Sequence, residues 1–211
     1  MRRSLSAALA VLALCVPAHA NGLSGMGEAI HGNGFSFPKP NLEKVPVEVI
    51  SVGAVPVTLQ RTLLADVVKA FGGTVRSEED GDGKATWACY TTTGADAATV
   101  WFISNALGGF EFVMMVAAQY GAAAEGECDA APEGFTLPDF GIPGLGAKTE
   151  AVKAAFGTAT DKGGKIAFRA DEPGADALGT SLNAQYIGYL VKGGKVVGLG
   201  VGETSVQPPA E

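Results

Sequence analysis

The sequence predicts an α+β fold: two tandem helix–strand–strand–strand units forming an antiparallel sheet, with helices packed on one face. Three observations predict it. Phe71-Gly72 and Phe156-Gly157 close two similar phrases, "DVVKAFGG" and "EAVKAAFG", at an offset of 85 residues. Gly108-Gly109 and Gly193-Gly194 recur at the same offset, so two landmarks share one spacing. Each half then follows one order of helical periodicity, strand, strand, Gly-Gly and strand.

Residues 1–20 read as a signal peptide. Arg2 and Arg3 precede an apolar run from Leu5 to Val16, and Ala18-His19-Ala20 supplies small residues for cleavage after Ala20. The run is too short for a bilayer, which needs roughly 20 apolar residues. A lipoprotein signal at Cys15 is the rival reading, but Leu14 stands where a small residue is expected. Residues 21–43 read as a flexible leader rich in glycine, containing His31 and "FSF". The first repeat covers 44–124 and opens with Val45–Leu59, β-branched and broken by Pro46 and Pro56, as in edge strands. Its helix spans Thr62–Phe71, where Leu63, Leu64, Val67, Val68 and Phe71 recur at helical spacing. "TWACYTT", "ATVWFISNA" and "FEFVMMVA" are its strands. A proline-rich linker, 125–140, leads to the second repeat, 141–204, with a helix over Lys148–Phe156. Its strands are "KIAFRA", "NAQYIGYLV" and "KVVGLGVG", and residues 205–211 read as a disordered tail.

Cleavage removes two of the 15 basic residues and none of the 22 acidic ones, moving the formal charge from −7 to about −9. An acidic chain without a basic cluster argues against nucleic acid or anionic lipid as partner. No stretch of the mature chain is long and apolar enough to span a membrane. Cys89 and Cys128 remain after cleavage, and an even pair in an oxidising compartment reads as a disulfide. Closing their loop would stabilise the fold by roughly 4 kcal/mol through chain entropy. A metal site is the competing reading, but the pair lacks CxxC-type spacing and a nearby histidine.

Strand alternation assigns faces. Phe112, Met114 and Val116 align with Val197, Leu199 and Val201 on a face expected under the helices, joined by Trp101 and Ile103 if the turn has two or four residues. The opposite face would carry Val100, Phe102, Val113 and Met115, then Ile187 and Tyr189 beside Gly198, Gly200 and Gly202. A second apolar face is unexpected where polar residues normally meet water. Either the leader or Val45–Leu59 covers it, or it is a concave surface for a protein or an apolar ligand, or the alternation assigned to these strands is off by one residue.

Catalytic signals are weak. His31 is the single mature histidine and reads as solvated, which argues against a histidine-based triad or metal site. "EEDGDGKAT" departs from a calcium loop at Lys84 and Ala85. The glycines at 198, 200 and 202 lack nucleotide-fingerprint spacing, and "KGGKI" lacks the Walker spacing.

"GLGAKTEAVKAAFG" (144–157) resembles the helix phrase of SmpA/OmlA-type outer-membrane assembly domains. The tandem, exported arrangement is similar to that of the beta-lactamase inhibitor protein fold. Both resemblances imply helices on an antiparallel sheet and action by protein binding. Lys148 departs from the pattern, where a Ser or Thr cap is usual. The expectation is an exported, non-catalytic protein of the envelope, periplasmic or secreted, that needs no cofactor or metal. It would bind an envelope or extracellular protein through Val100, Phe102, Val113, Met115, Ile187 and Tyr189. The alternative is a periplasmic carrier of a small apolar ligand held between sheet and leader, with a carboxylate-pair hydrolase third.

Overall fold

The computed structural model describes residues 22–32, 34–78, 84–121, 123–124, 126–159, 162–174 and 181–206. The signal-peptide reading therefore lies outside the described residues, as do 79–83 of the acidic loop and 207–211 of the tail. In chain order the elements are α1 (Gly25–His31), β1 (Ile50–Val52), β2 (Val55–Val57), α2 (Leu64–Phe71), β3 (Arg76–Glu78), β4 (Ala85–Thr91) and β5 (Ala98–Asn105). They continue with a 3-10 turn (Ala106–Gly108), β6 (Met115–Tyr120), β7 (Asp129–Ala130), α3 (Thr149–Phe156), β8 (Lys165–Pro173), β9 (Leu182–Lys192) and β10 (Lys195–Val206). The fold is α+β, with helices on an antiparallel sheet.

The large sheet runs β3-β4-β5-β6-β10-β9-β8, and β7 adds a short parallel pairing to β4. β6 and β10, the closing strands of the two halves, pair antiparallel at its centre. β1 and β2 form a separate hairpin whose inward residues Ile50, Val52 and Val57 join the main core.

α2 and α3 form because each turns an apolar stripe inward and has glycine at its end. Leu64 and Val67 of α2 and Val152 of α3 are buried, and Gly72 and Gly157 follow with φ of 74° and 80°. Neither N-cap residue, Leu63 or Lys148, makes a side-chain capping bond. The backbone substitutes for one. Leu64 N–H donates to Glu111 O at 2.8 Å, and Thr149 N–H donates to Gly194 O at 2.9 Å. An orphan helix N–H is thus satisfied by the closing hairpin of the same half, which explains how Lys148 can stand where a hydroxyl cap is usual. Phe71 ends α2 against Phe135, Tyr90 and Phe102, and Phe156 ends α3 against Phe168 and Tyr189.

The helices occupy both faces rather than one. α2, α3 and the β1–β2 hairpin cover the face of Val100, Phe102, Val116, Ile187, Tyr189, Leu199 and Val201. α1 covers the other, built from Trp87, Trp101, Ile103, Met114, Met115 and Ala117. The leader is thus a docked element, correcting the expectation of a flexible one. Seven residues are too few for a stable isolated helix. Burial of Met26 and Ile30, at roughly 1.5–3 kcal/mol each, supplies what local propensity cannot. The seat explains the glycines. A Cβ on Gly200 would lie 2.9 Å from Met26 Cε and 3.0 Å from Ile30 Cβ, and one on Gly188 would lie 2.8 Å from the Phe35 ring. From the helix side, a Cβ on Gly27 would lie 2.9 Å from Trp101.

Two further expectations change. β10 continues to Val206 because Ser205 and Val206 pair with Asn183 and Leu182, so the strand takes in the start of the expected tail. The expected linker is built into the core edge: Asp129 and Ala130 pair with Tyr90 and Thr91, and Phe140 is buried. Cys128, just before β7, forms a disulfide with Cys89 of β4, with their Cα atoms 5.0 Å apart.

Candidate functional site

Each of the six residues expected to form a binding face is buried. Val100, Phe102, Val113, Ile187 and Tyr189 lie beneath α2 and α3, and Met115 lies on the opposite side beneath the leader. This corrects the face assignment, and two irregularities account for it. In the second half, Gly193 and Gly194 make a two-residue turn with φ of 59° and 74°, but the β9–β10 register shifts between Val196 and Gly198. That bulge brings Val196 and Leu199 onto one face. In the first half, Gly109 belongs to a longer loop, and β6 starts at Met115 rather than Phe110. Ile103 there accepts from Met114 N–H while pairing with Met115, so consecutive methionines turn to the same side. Each extra residue inverts the alternation beyond it.

With both faces covered, the edge strand β8 carries the candidate site. Arg169 turns its backbone away from β9: its N–H donates to Asn41 Oδ1 at 2.8 Å, and its carbonyl accepts from Asn41 and Leu42 N–H. By antiparallel alternation the backbone groups of Ala167 and Lys165 also point outward. Those of Lys165 are met by Lys162. Ala167 instead faces an open cleft of about 500 Å³, lined by Gly34, Phe35 and Asn41 of the leader and by Thr158, Lys162 and Lys165. The Lys165 ammonium donates to Gly34 O at 2.8 Å and lies 5.8 Å from the Phe35 ring centroid. A second cleft of about 540 Å³ lies beyond Lys165, bounded by Glu28, Gln119 and Leu190. Both separate the leader from the sheet.

Other polar side chains tie elements of the fold together. Arg169 Nε and Nη2 grip Asp171 at 2.7 and 2.9 Å, a bond that raises the Arg169 pKa, and its guanidinium sits over Tyr186. Gln185, fully buried, donates to Val47 O and Glu203 and accepts from Val47 N–H, tying the segment before β1 to β9 and β10. His31 is half-buried rather than solvated, and desolvation lowers its pKa while Glu78 partly restores it. Asp129 is held below its ordinary range by Arg76, 2.9 Å away. Among the described residues no group of three His, Cys, Asp or Glu could hold a metal ion, and no helix is long and apolar enough to cross a membrane. The strand character of "KIAFRA" is legible from its alternation, but its place at the sheet edge is not, because edge position depends on long-range pairing. No protein-family model, curated protein or solved structure matches this chain.

Proposed function

We propose that this chain is an exported, non-catalytic protein of the envelope that binds a protein partner by adding one of the partner's strands to the β8 edge. The observation that carries the reading is Ala167, whose outward N–H and carbonyl face an open cleft instead of a neighbouring strand. A strand edge of this kind templates pairing, and main-chain hydrogen bonds supply the affinity in such complexes. The leader already uses the same edge, since Leu42 bridges Ala170 in parallel register. Export is supported by the pattern of residues 1–20 and by the disulfide. The resemblance of 144–157 to assembly domains points the same way.

A photo-crosslinking side chain at Thr158 tests the reading in the native envelope, with one at Leu107 as a distant control. An adduct with one defined protein from Thr158, lost in Ala167→Pro, is the expected result. Proline there removes an outward N–H and leaves the β8–β9 ladder its bonds. Adducts from Leu107 alone would overturn it. A second reading, a carrier of a small ligand, is favoured by the size of the clefts, which lies in the usual ligand range. Native mass spectrometry of protein isolated from its source separates the two: a bound small molecule supports the carrier.

A further inference from the structure

We propose that the β8 edge selects an acidic segment, an extended stretch of the partner rich in Asp or Glu; this rests on the strand-addition reading above. Lys162 and Lys165 line the cleft, and none of the described residues lining it is a carboxylate. The positive charge extends beyond them. Lys165 pairs with Leu190 in the β8–β9 ladder, and Lys192 follows two residues later. Lys192 stands opposite Lys195, and Lys195 bridges to Lys148 at the start of α3. Neighbouring strands lie about 4.8 Å apart, so these lysines step across one end of the sheet.

All five lysines are exposed. The salt bridges among the described residues are Arg76–Asp129 and Arg169–Asp171, so these ammonium groups are not neutralised by carboxylates of the described chain. In a chain with 22 acidic and 15 basic residues, five lysines at one end are segregated charge. Segregated charge of this kind steers a complementary partner and fixes its register. A strand added at Ala167 runs across this row rather than along it, so its carboxylates meet the Lys162 and Lys165 ammonium groups beside the cleft, and acidic residues beyond that end of the strand reach toward Lys192, Lys195 and Lys148. A membrane surface fits less well. Among the described residues, the exposed large apolar side chains Val49, Val75, Leu107 and Phe112 lie outside the lysine-bearing segments and supply no apolar anchor at that end.

The test uses the mature full-length protein and two fluorescent peptides, one alternating Asp with Val and one alternating Asn with Val, read by anisotropy. The Asp peptide is expected to bind about tenfold more tightly at low salt, a preference that disappears near 0.5 M salt as screening shortens. Combining Lys162→Gln with Lys192→Gln should erase the preference while leaving binding of the Asn peptide intact. Ala167→Pro should weaken both peptides. Equal binding of the two peptides would overturn the acidic preference and leave strand addition standing. An Asp preference that Ala167→Pro does not touch would retire strand addition and place the contact on the lysines alone. Binding of neither peptide up to about 1 mM would retire both. Displacement of the Asp peptide by inorganic phosphate, or by phosphatidylglycerol vesicles at matched charge, would overturn the protein partner in favour of a general anion or lipid surface. A stable dimer that the Asp peptide cannot dissociate would give the edge to a second copy and overturn the proposal.

Discussion

Val116 of β6 lies directly opposite Val201 of β10, and these are positions that the 85-residue offset equates. The contact at the centre of the sheet is therefore made by residues one such offset apart, both fully buried. Val116→Ala and Val201→Ala should each lower the unfolding free energy by about 2 kcal/mol through lost methyl burial and the cavity left behind. Because the sheet is continuous across this pair, urea unfolding followed by tryptophan fluorescence and by far-UV dichroism should show coincident transitions. Two separate transitions would argue against the continuous core.

The disulfide spans a sequence separation of 39 residues and ties the segment before β7 to the middle of β4. Replacing both cysteines by alanine should cost about 4 kcal/mol by the loop-entropy relation. Intact mass should show the unreduced protein about two hydrogens lighter than the reduced one. Alkylation of both thiols without prior reduction would contradict the bridge.

The leader seat predicts an effect opposite to strand propensity. Valine normally suits a central strand better than glycine. At Gly200, however, even a Cβ would meet Met26 and Ile30 at about 3 Å. Gly200→Val should therefore undock α1, increase hydrogen exchange over residues 25–31 and red-shift fluorescence from Trp101, which lies against Gly27. Unchanged exchange and emission would show that the seat tolerates a side chain.

The leader should also loosen at acidic pH. Burial holds the His31 pKa below its ordinary 6.5, with Glu78 opposing the shift. A group whose folded pKa is depressed adds stability that is complete above the unfolded value and lost as pH falls through the folded one. Exchange protection of residues 25–31, corrected for intrinsic rate, should thus fall as pH drops below about 6.5. His31→Gln should flatten that dependence, and a flat profile in the unaltered protein would refute it.

Two core tyrosines should respond oppositely to loss of the hydroxyl. Tyr90 donates to Gly72 O at 2.7 Å, and its pKa is raised to about 12, first by burial and then by Asp129, with Arg76 opposing. Tyr189 is fully buried, and its hydroxyl has no hydrogen-bond partner among the described residues. Tyr90→Phe should cost about 1 kcal/mol, whereas Tyr189→Phe should stabilise the protein by about 1 kcal/mol, because an unsatisfied buried hydroxyl is a penalty. Denaturant midpoints compared at equal slope decide it, and a destabilised Tyr189→Phe would be the contrary result.

The candidate site was the least legible part of the chain. The apolar character of Val100, Phe102, Val113, Met115, Ile187 and Tyr189 was plain from the sequence, but the same pattern serves a docking face and a core. The bulge near Val197 and the doubled methionines at 114 and 115 reversed the assignment, since each turns on a single hydrogen-bonded register. The cleft beside Ala167 depends on where the leader crosses β8, a contact between positions more than 120 residues apart.

Local chemistry alone determined a good deal. The spacing of Leu64, Val67 and Phe71 with a following glycine specified α2, the Gly193-Gly194 pair marked a tight turn without fixing its length, and Cys89 and Cys128, the two cysteines outside residues 1–20, were read as a pair. These rest on interactions between near neighbours, or on a choice with one partner available. Tertiary structure decided which face each strand turned inward, that the glycines at 188 and 200 were a seat for the leader, and that β8 lay at an edge. Those outcomes belong to burial and register. Both are shared by residues far apart in sequence, and a one-residue shift in register moves every later side chain to the other face.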